Sequence, residues 1–209
     1  ATMFGVTDAG EPLLERRSVL HRITPAALRM HLSISPARAD AFFARVAPRL
    51  RSVRDRRAPP SIDDKELASW NGLAIIALAN VGRWSDEPRY VEAAERAARF
   101  VLDHCWDGQR MLRGLRQGES LGEGFLDDYA IPLLGLLRLH AADGDLRWLE
   151  AAHAIGRVIV ERFHDASLGT FLHTARADVP EGLPMRRPDL EDGVMPSGGN
   201  AATLAMLEL

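Results

Sequence analysis

Three groups of polar residues stand out because their types could do acid/base chemistry. The first is Asp63, Asp64, Lys65, Glu66, Trp70 and Asn71; the second is Glu123, Asp127, Asp128 and Tyr129; the third is Asp189, Glu191, Asp192, Ser197 and Asn200. Each group lies before or at the start of an apolar, helix-like stretch. Carboxylates facing a common cavity suit general acid/base work such as glycosidic hydrolysis or epimerisation. Asp64 and Asp128 are the acid/base candidates, with Asp63 and Asp127 as like-charged neighbours that would shift their pKa values. Lys65, Trp70, Asn71, Tyr129, Ser197 and Asn200, together with Asp63 and Asp127, are the expected lining, and Trp70 and Tyr129 offer flat faces for a sugar ring. The competing reading is structural: Asp and Ser before a helix are ordinary N-caps, and acids in a first turn favour the helix dipole. Asn71, just inside an apolar helix, fits a cap less well and needs a partner, for which Lys65 or a nearby carboxylate is expected.

Other chemistries find little support. The seven histidines show no metal-ligand spacing, none is expected at the start of an inner helix, and His140, His153 and His164 fall late in helices or on outer ones. The single cysteine, Cys105, ends a helix and does not read as a nucleophile. With no Cys-x-x-Cys there is neither a redox motif nor a zinc motif, and a reducing, cytoplasmic setting is expected. Pro196-Ser197-Gly198-Gly199-Asn200 lacks the lysine and spacing of a phosphate loop and reads as a turn feeding a helix. Neither a metal nor a cofactor is expected. Of 209 residues, 26 are basic and 29 acidic, a net charge of −3 that offers no general attraction to nucleic acid or anionic membrane. Lys65 is the only lysine, and the arginine excess reads as composition rather than ligand chemistry. At 46% apolar and 26% charged the chain is a globular one, and no apolar run reaches membrane-spanning length.

The elements that must position these groups follow from the spacing. Ser35-Pro36 is a helix start, with serine as N-cap and proline at the first helical position. Apolar positions at helical spacing run from Ala37 to Arg57. Pro48 inside that run predicts a kink or two shorter helices. The arginines at its end suit the helix C-terminus, and Ala58-Pro59-Pro60 is a break. Residues 1–58 are therefore an N-terminal segment with a leading helix, and 59–209 a second, repetitive region.

In that region two helical hairpins are legible: Leu67–Val81 with Pro88–Cys105, then Leu126–Ala141 with Leu146–Phe163 across the turn Asp143-Gly144-Asp145. Arg89-Tyr90-Val91-Glu92-Ala93-Ala94 lies over Arg147-Trp148-Leu149-Glu150-Ala151-Ala152 at an offset of 58 residues, which also sets Asn71 over Tyr129. A third unit opens at Pro196-Ser197, its helix starting at Gly199. Such a repeat is either an open solenoid or a closed ring of hairpins. The first helices are apolar nearly all round and the second ones carry polar faces, as buried inner and solvated outer layers should. The expected fold is therefore all-α, an incomplete α/α toroid of helical hairpins. Short β-excursions are expected between hairpins, at Met111-Leu112 and Thr170-Phe171-Leu172. A ring of six such hairpins needs on the order of 350 residues at 15–20 per helix, so the chain is expected to be a fragment. Exposed flanks of an incomplete ring would favour a homodimer.

Four motifs in order, Pro60-x-x-Asp63-Asp64-Lys65, Ser69-Trp70-Asn71-Gly72, Gly124-Phe125-Leu126-Asp127-Asp128-Tyr129-Ala130 and Pro196-Ser197-Gly198-Gly199-Asn200, preceded by Arg54-Asp55-Arg56-Arg57, carry a resemblance. They resemble the spermatogenesis-associated, thioredoxin-domain-containing family and its bacterial relatives. The resemblance implies a longer protein in which a thioredoxin-like domain precedes an α/α toroid similar to the six-hairpin glycosidases and N-acylglucosamine 2-epimerases. It implies a carbohydrate ligand and, as a partner, the thioredoxin-like domain of the full-length chain. A non-catalytic helical module supporting that domain is the alternative.

Overall fold

The computed structural model describes Phe4, Val6, Ala9 and residues 21–24, 34–176 and 187–209; most of the mixed N-terminal stretch and part of the excursion before the third unit lie outside the described residues. The chain divides into two compact units, Ala1–Ile62 and Asp63–Leu209.

In the first unit, α1 (Pro36–Arg54) starts where serine and proline direct it: the Ser35 hydroxyl accepts from the Arg38 amide at 3.3 Å. The helix is continuous through Pro48, so of the two expected alternatives, a kink or two shorter helices, the second does not occur. Ala39 and Phe43 form a small core with Phe4, Ile23 and Ile34.

The second unit is an arc of an α/α toroid. Its inner helices are α2 (Ala68–Ser85), α4 (Leu126–Asp143) and α6 (Gly198–Glu208); its outer helices are α3 (Pro88–Phe100) and α5 (Leu146–Phe163). Both members of the second hairpin begin 58 residues after their counterparts, the offset legible in the sequence. A π-helical turn, Val101–Cys105, extends α3 to the expected end. Helix α4 packs between α2 and α6 and against both outer helices. That position is why Leu126 and the residues from Tyr129 to Leu137 are all buried: every side of the helix meets another.

The inner helices approach closely because a glycine faces backbone. A Cβ on Gly72 would stand 2.6 Å from the Pro132 nitrogen and 2.8 Å from the Ile131 carbonyl carbon. The 58-residue offset also explains an exposed stripe on α2. Trp70, Ala74, Ala77, Val81 and Trp84 correspond to Asp128, Pro132, Gly135, Leu139 and Ala142, which on α4 are buried or nearly so. The α4 face is covered by α2 itself, whereas α2 stands at the edge of the arc.

The β-excursions differ in detail from expectation. Strand β1 (Lys65–Leu67) pairs antiparallel with β2 (Gly114–Arg116), Lys65 opposite Arg116, and β2 pairs with β3 (Glu119–Ser120). Met111 and Leu112 make only single bridges, to Trp106 and Glu123. The second excursion is as expected: β4 (His164–Asp165) pairs with β5 (Thr170–Phe171), and Leu172 bridges Pro188. Among the described residues no helix is long and apolar enough to cross a membrane.

Candidate functional site

The N-termini of the inner helices converge, and Asp128 is the link. Its Oδ1 accepts from the Ser69 amide in the first turn of α2 at 3.4 Å, and its Oδ2 from the Phe125 amide, at the N-cap of its own helix, at 3.1 Å. On the other flank, a Cβ on Gly198 would lie 2.8 Å from the Asp127 nitrogen, so the start of α6 rests directly on the start of α4. Ser197 caps α6 by accepting from the Asn200 amide at 3.2 Å. Asp192 braces that turn, accepting from the Ser197 amide at 2.8 Å and the Asn200 side chain at 3.2 Å; the same two bonds, the Ser197 amide first, hold its carboxyl below the usual range.

The two acid/base candidates are held by different partners. Asp64 sits on the β-meander, where its oxygens accept from Arg116 Nε and Gln117 Nε2, each at 2.7 Å. Those partners, Gln117 first, lower its pKa. Strand β1 stands between Asp64 and the Ser69 amide that Asp128 holds, about 10 Å of extended chain. Asp63 pairs with Lys65 at 3.1 Å on the surface. Asp128 is 2% exposed, and burial, reinforced by the Asp127 charge, raises its pKa to about 6. It is a buried tie between helices rather than a group on an open wall. Asp127, beside it, is only partly buried, yet its Oδ1 is buried with no hydrogen-bond partner among the described residues.

One lining assignment, Tyr129, and the expected partner of Asn71 need correction. Tyr129 is fully buried, its hydroxyl accepting from the Met111 amide at 2.9 Å and from Arg162 at 3.1 Å; its ring packs edge-on against Trp106 and Phe163 and offers no face to a ligand. Asn71 takes neither Lys65 nor a carboxylate as partner but donates to the Leu67 carbonyl one turn back, at 2.9 Å. Glu123, which is not among the expected lining residues, pairs with Arg110 and Arg162. Trp70 is 58% exposed, at the N-terminal end of the uncovered stripe of α2. Ser197 is buried and Asn200 exposed, donating also to the Leu190 carbonyl at 3.1 Å. Cys105 is buried in the core, and burial pushes its thiol up to about 11, far from nucleophilic.

One residue at this end of the arc was not expected. His173 follows β5 and stacks on Phe125, with ring centroids 4.7 Å apart and planes 13° from parallel. Its carbonyl accepts from the Leu126 amide at 3.0 Å, fixing it to the first residue of α4. Its Nδ1 is buried 3.7 Å from Asp189 Oδ2, and that oxygen accepts from the Gly198 amide at 2.9 Å. A histidine is therefore present at the inner-helix mouth, delivered by the excursion rather than by a helix. The only foreshadowing signal is its place directly after the expected strand Thr170–Leu172. Among the described residues no cluster of three histidine, cysteine or acidic side chains is arranged to hold a metal ion.

No family model matches the chain. It is 29% identical over 225 aligned positions to spermatogenesis-associated protein 20 of Homo sapiens, covering 99% of this chain and 28% of that protein. The Mus musculus protein of the same name is 30% identical over 171 positions, covering 77% and 22%. An uncharacterised Caenorhabditis elegans protein is 26% identical, covering 100% and 30%. Among solved structures, a GH76 alpha-mannanase of Bacteroides thetaiotaomicron is similar at 21% identity and a TM-score of 0.48, over 59% of this chain and 34% of that one. The chain spans less than a third of the length of these curated relatives. Over nearly its whole length it is similar to one segment of spermatogenesis-associated protein 20 of Homo sapiens.

Proposed function

We propose that the convergent N-termini of α2, α4 and α6 form a carbohydrate-binding mouth, and that this segment contributes carboxylate acid/base residues to a glycosidase- or epimerase-like activity of the longer protein. The observation that carries this reading is the Asp127 Oδ1, a buried acceptor without a donor among the described residues. Buried polar atoms in native proteins are nearly always hydrogen-bonded, and a sugar hydroxyl is a suitable missing donor. Asp127 is then the carboxylate that meets the ligand. Asp128, buried behind it with a pKa of about 6, is a positioning residue. It anchors the first turn of α4, and burial, reinforced by the Asp127 charge, lets Asp128 hold a proton up to about pH 6, higher than an ordinary carboxyl does. Trp70 supplies an exposed aromatic face at the same end of the neighbouring helix.

A second reading, the non-catalytic helical module, is favoured by a different observation: Asp63, Asp64 and Asp128 all have partners, in Lys65, in Arg116 with Gln117, and in two backbone amides. Ligand-observed NMR with a panel of mono- and disaccharides separates the two. The carbohydrate reading expects at least one saccharide to show saturation transfer that Asp127→Asn abolishes. Failure of every saccharide to bind would leave the module.

A further inference from the structure

The uncovered face of α2 has a shape that complements itself. It presents Trp70, Ala74, Ala77, Val81 and Trp84, all exposed, Trp84 at 84% and Val81 at 46%. No charge stands in this stripe, so covering it would bury no unpaired ion. Its last four members grade from small to large along the helix: Ala74, Ala77, Val81, Trp84. Laid antiparallel on a second copy, such a face sets Trp84 on the partner's Ala74 and Val81 beside the partner's Ala77. The two-fold axis then passes at the level of Ala79. Trp70 falls beyond the end of the partner's helix and stays at the inner-helix mouth.

Two observations favour a second copy over another inner helix laid parallel to α2. The first is bulk. A parallel helix seated as α2 sits on α4 would have to accommodate the Trp84 indole at the level where α4 presents only Ala142. The second is charge. Asp86 ends α2, exposed and left-handed with φ 55°, and has no ion pair among the described residues. A carboxylate at a helix C-terminus opposes the helix dipole. In the antiparallel pair Asp86 stands level with the first turn of the partner's α2, the positive end of that helix. A parallel neighbour would instead bring a second negative end beside it.

We infer that two copies of this chain associate through an antiparallel, two-fold pairing of their α2 helices, Trp84 and Val81 of each packing on the partner's Ala74 and the partner's Ala77. Such a contact closes on itself and gives a dimer rather than a larger assembly. One helix face is smaller than the roughly 800 Å² per partner of a standard interface, so the dimer is expected to be reversible, with micromolar affinity. The inference does not depend on the reading of Asp127.

The test is sedimentation equilibrium of the whole chain from low micromolar to several hundred micromolar. A reversible monomer–dimer equilibrium without larger species is expected. Ala77→Glu, which sets a charge beside the partner's Val81, should weaken the dimer at least tenfold. Val160→Glu, at an exposed apolar position of α5, should alter it by no more than about twofold. Oxidation of an equal mixture of Ala77→Cys and Val81→Cys chains should link more dimer than either chain alone, because the pairing sets Ala77 against the partner's Val81. The native Cys105 is buried and does not compete. A monomer at every concentration overturns the proposal and leaves the face to a helix from elsewhere in the longer protein. It is also overturned if larger species replace the dimer, if Ala77→Glu dimerises as tightly as the parent, if Val160→Glu weakens the dimer equally, or if the cysteine mixture links no better than its components.

Discussion

The carboxylate of Asp128 accepts the amide of Ser69 across 59 residues of sequence, joining the first turn of one inner helix to the first turn of the next. Its other oxygen accepts the Phe125 amide. One buried acid thus satisfies donors that two helix starts would otherwise leave unpaired.

Asp128 should make stability depend on pH in an unusual direction. Its carboxyl has a folded pKa of about 6, above the ordinary 3.8, because burial and Asp127 disfavour the charge. Between these values the folded chain holds a proton that the unfolded chain has released, so stability falls as pH rises from about 4 to 6. The loss is on the order of 3 kcal/mol or less. Urea denaturation at pH values spanning this window should show that fall, and Asp128→Asn should flatten it. An unchanged slope in the variant would place the titration elsewhere.

Gly72→Ala should destabilise the chain by about 1–3 kcal/mol, because the new methyl meets the backbone at Ile131 and Pro132, which cannot rotate away. Gly193→Ala, where a Cβ meets nothing within 4 Å, should stay within about 0.5 kcal/mol. Thermal denaturation of the two variants side by side gives the comparison.

Tyr129→Phe and Trp70→Ala should have opposite profiles. The first removes the acceptor of the buried Met111 amide and should cost about 1–3 kcal/mol of stability. The second removes an exposed ring and should leave stability within about 0.5 kcal/mol while weakening saccharide binding. Denaturation and binding measured on both variants would reveal the reverse pattern if Tyr129, rather than Trp70, served the ligand.

The hairpin plan was legible because its signals are local and repeated: apolar stripes of period 3.6, the Asp143-Gly144-Asp145 turn, proline at the start of α3, and a recurring offset that survives sequence divergence. What escaped depended on partners distant in sequence. Lys65–Leu67 is too short to show alternation, and its strand character comes from Gly114–Arg116. The same meander supplies Arg116 and Gln117, which occupy Asp64. Tyr129 follows two acids, yet at 3.6 residues per turn it faces about 100° away from its neighbour, toward the core. His173 reaches the mouth only because β4 and β5 fold the chain back onto the start of α4.

The most direct test is binding of a saccharide, identified by the ligand screen, to the parent chain, Asp127→Asn and Asp64→Asn by calorimetry. Asp127→Asn should weaken binding at least tenfold, about 1.4 kcal/mol or more, while Asp64→Asn, whose carboxylate is engaged on the meander, should bind as the parent does. Loss of binding in Asp64→Asn with Asp127→Asn unaffected would contradict the account and return the site to the flank of β1.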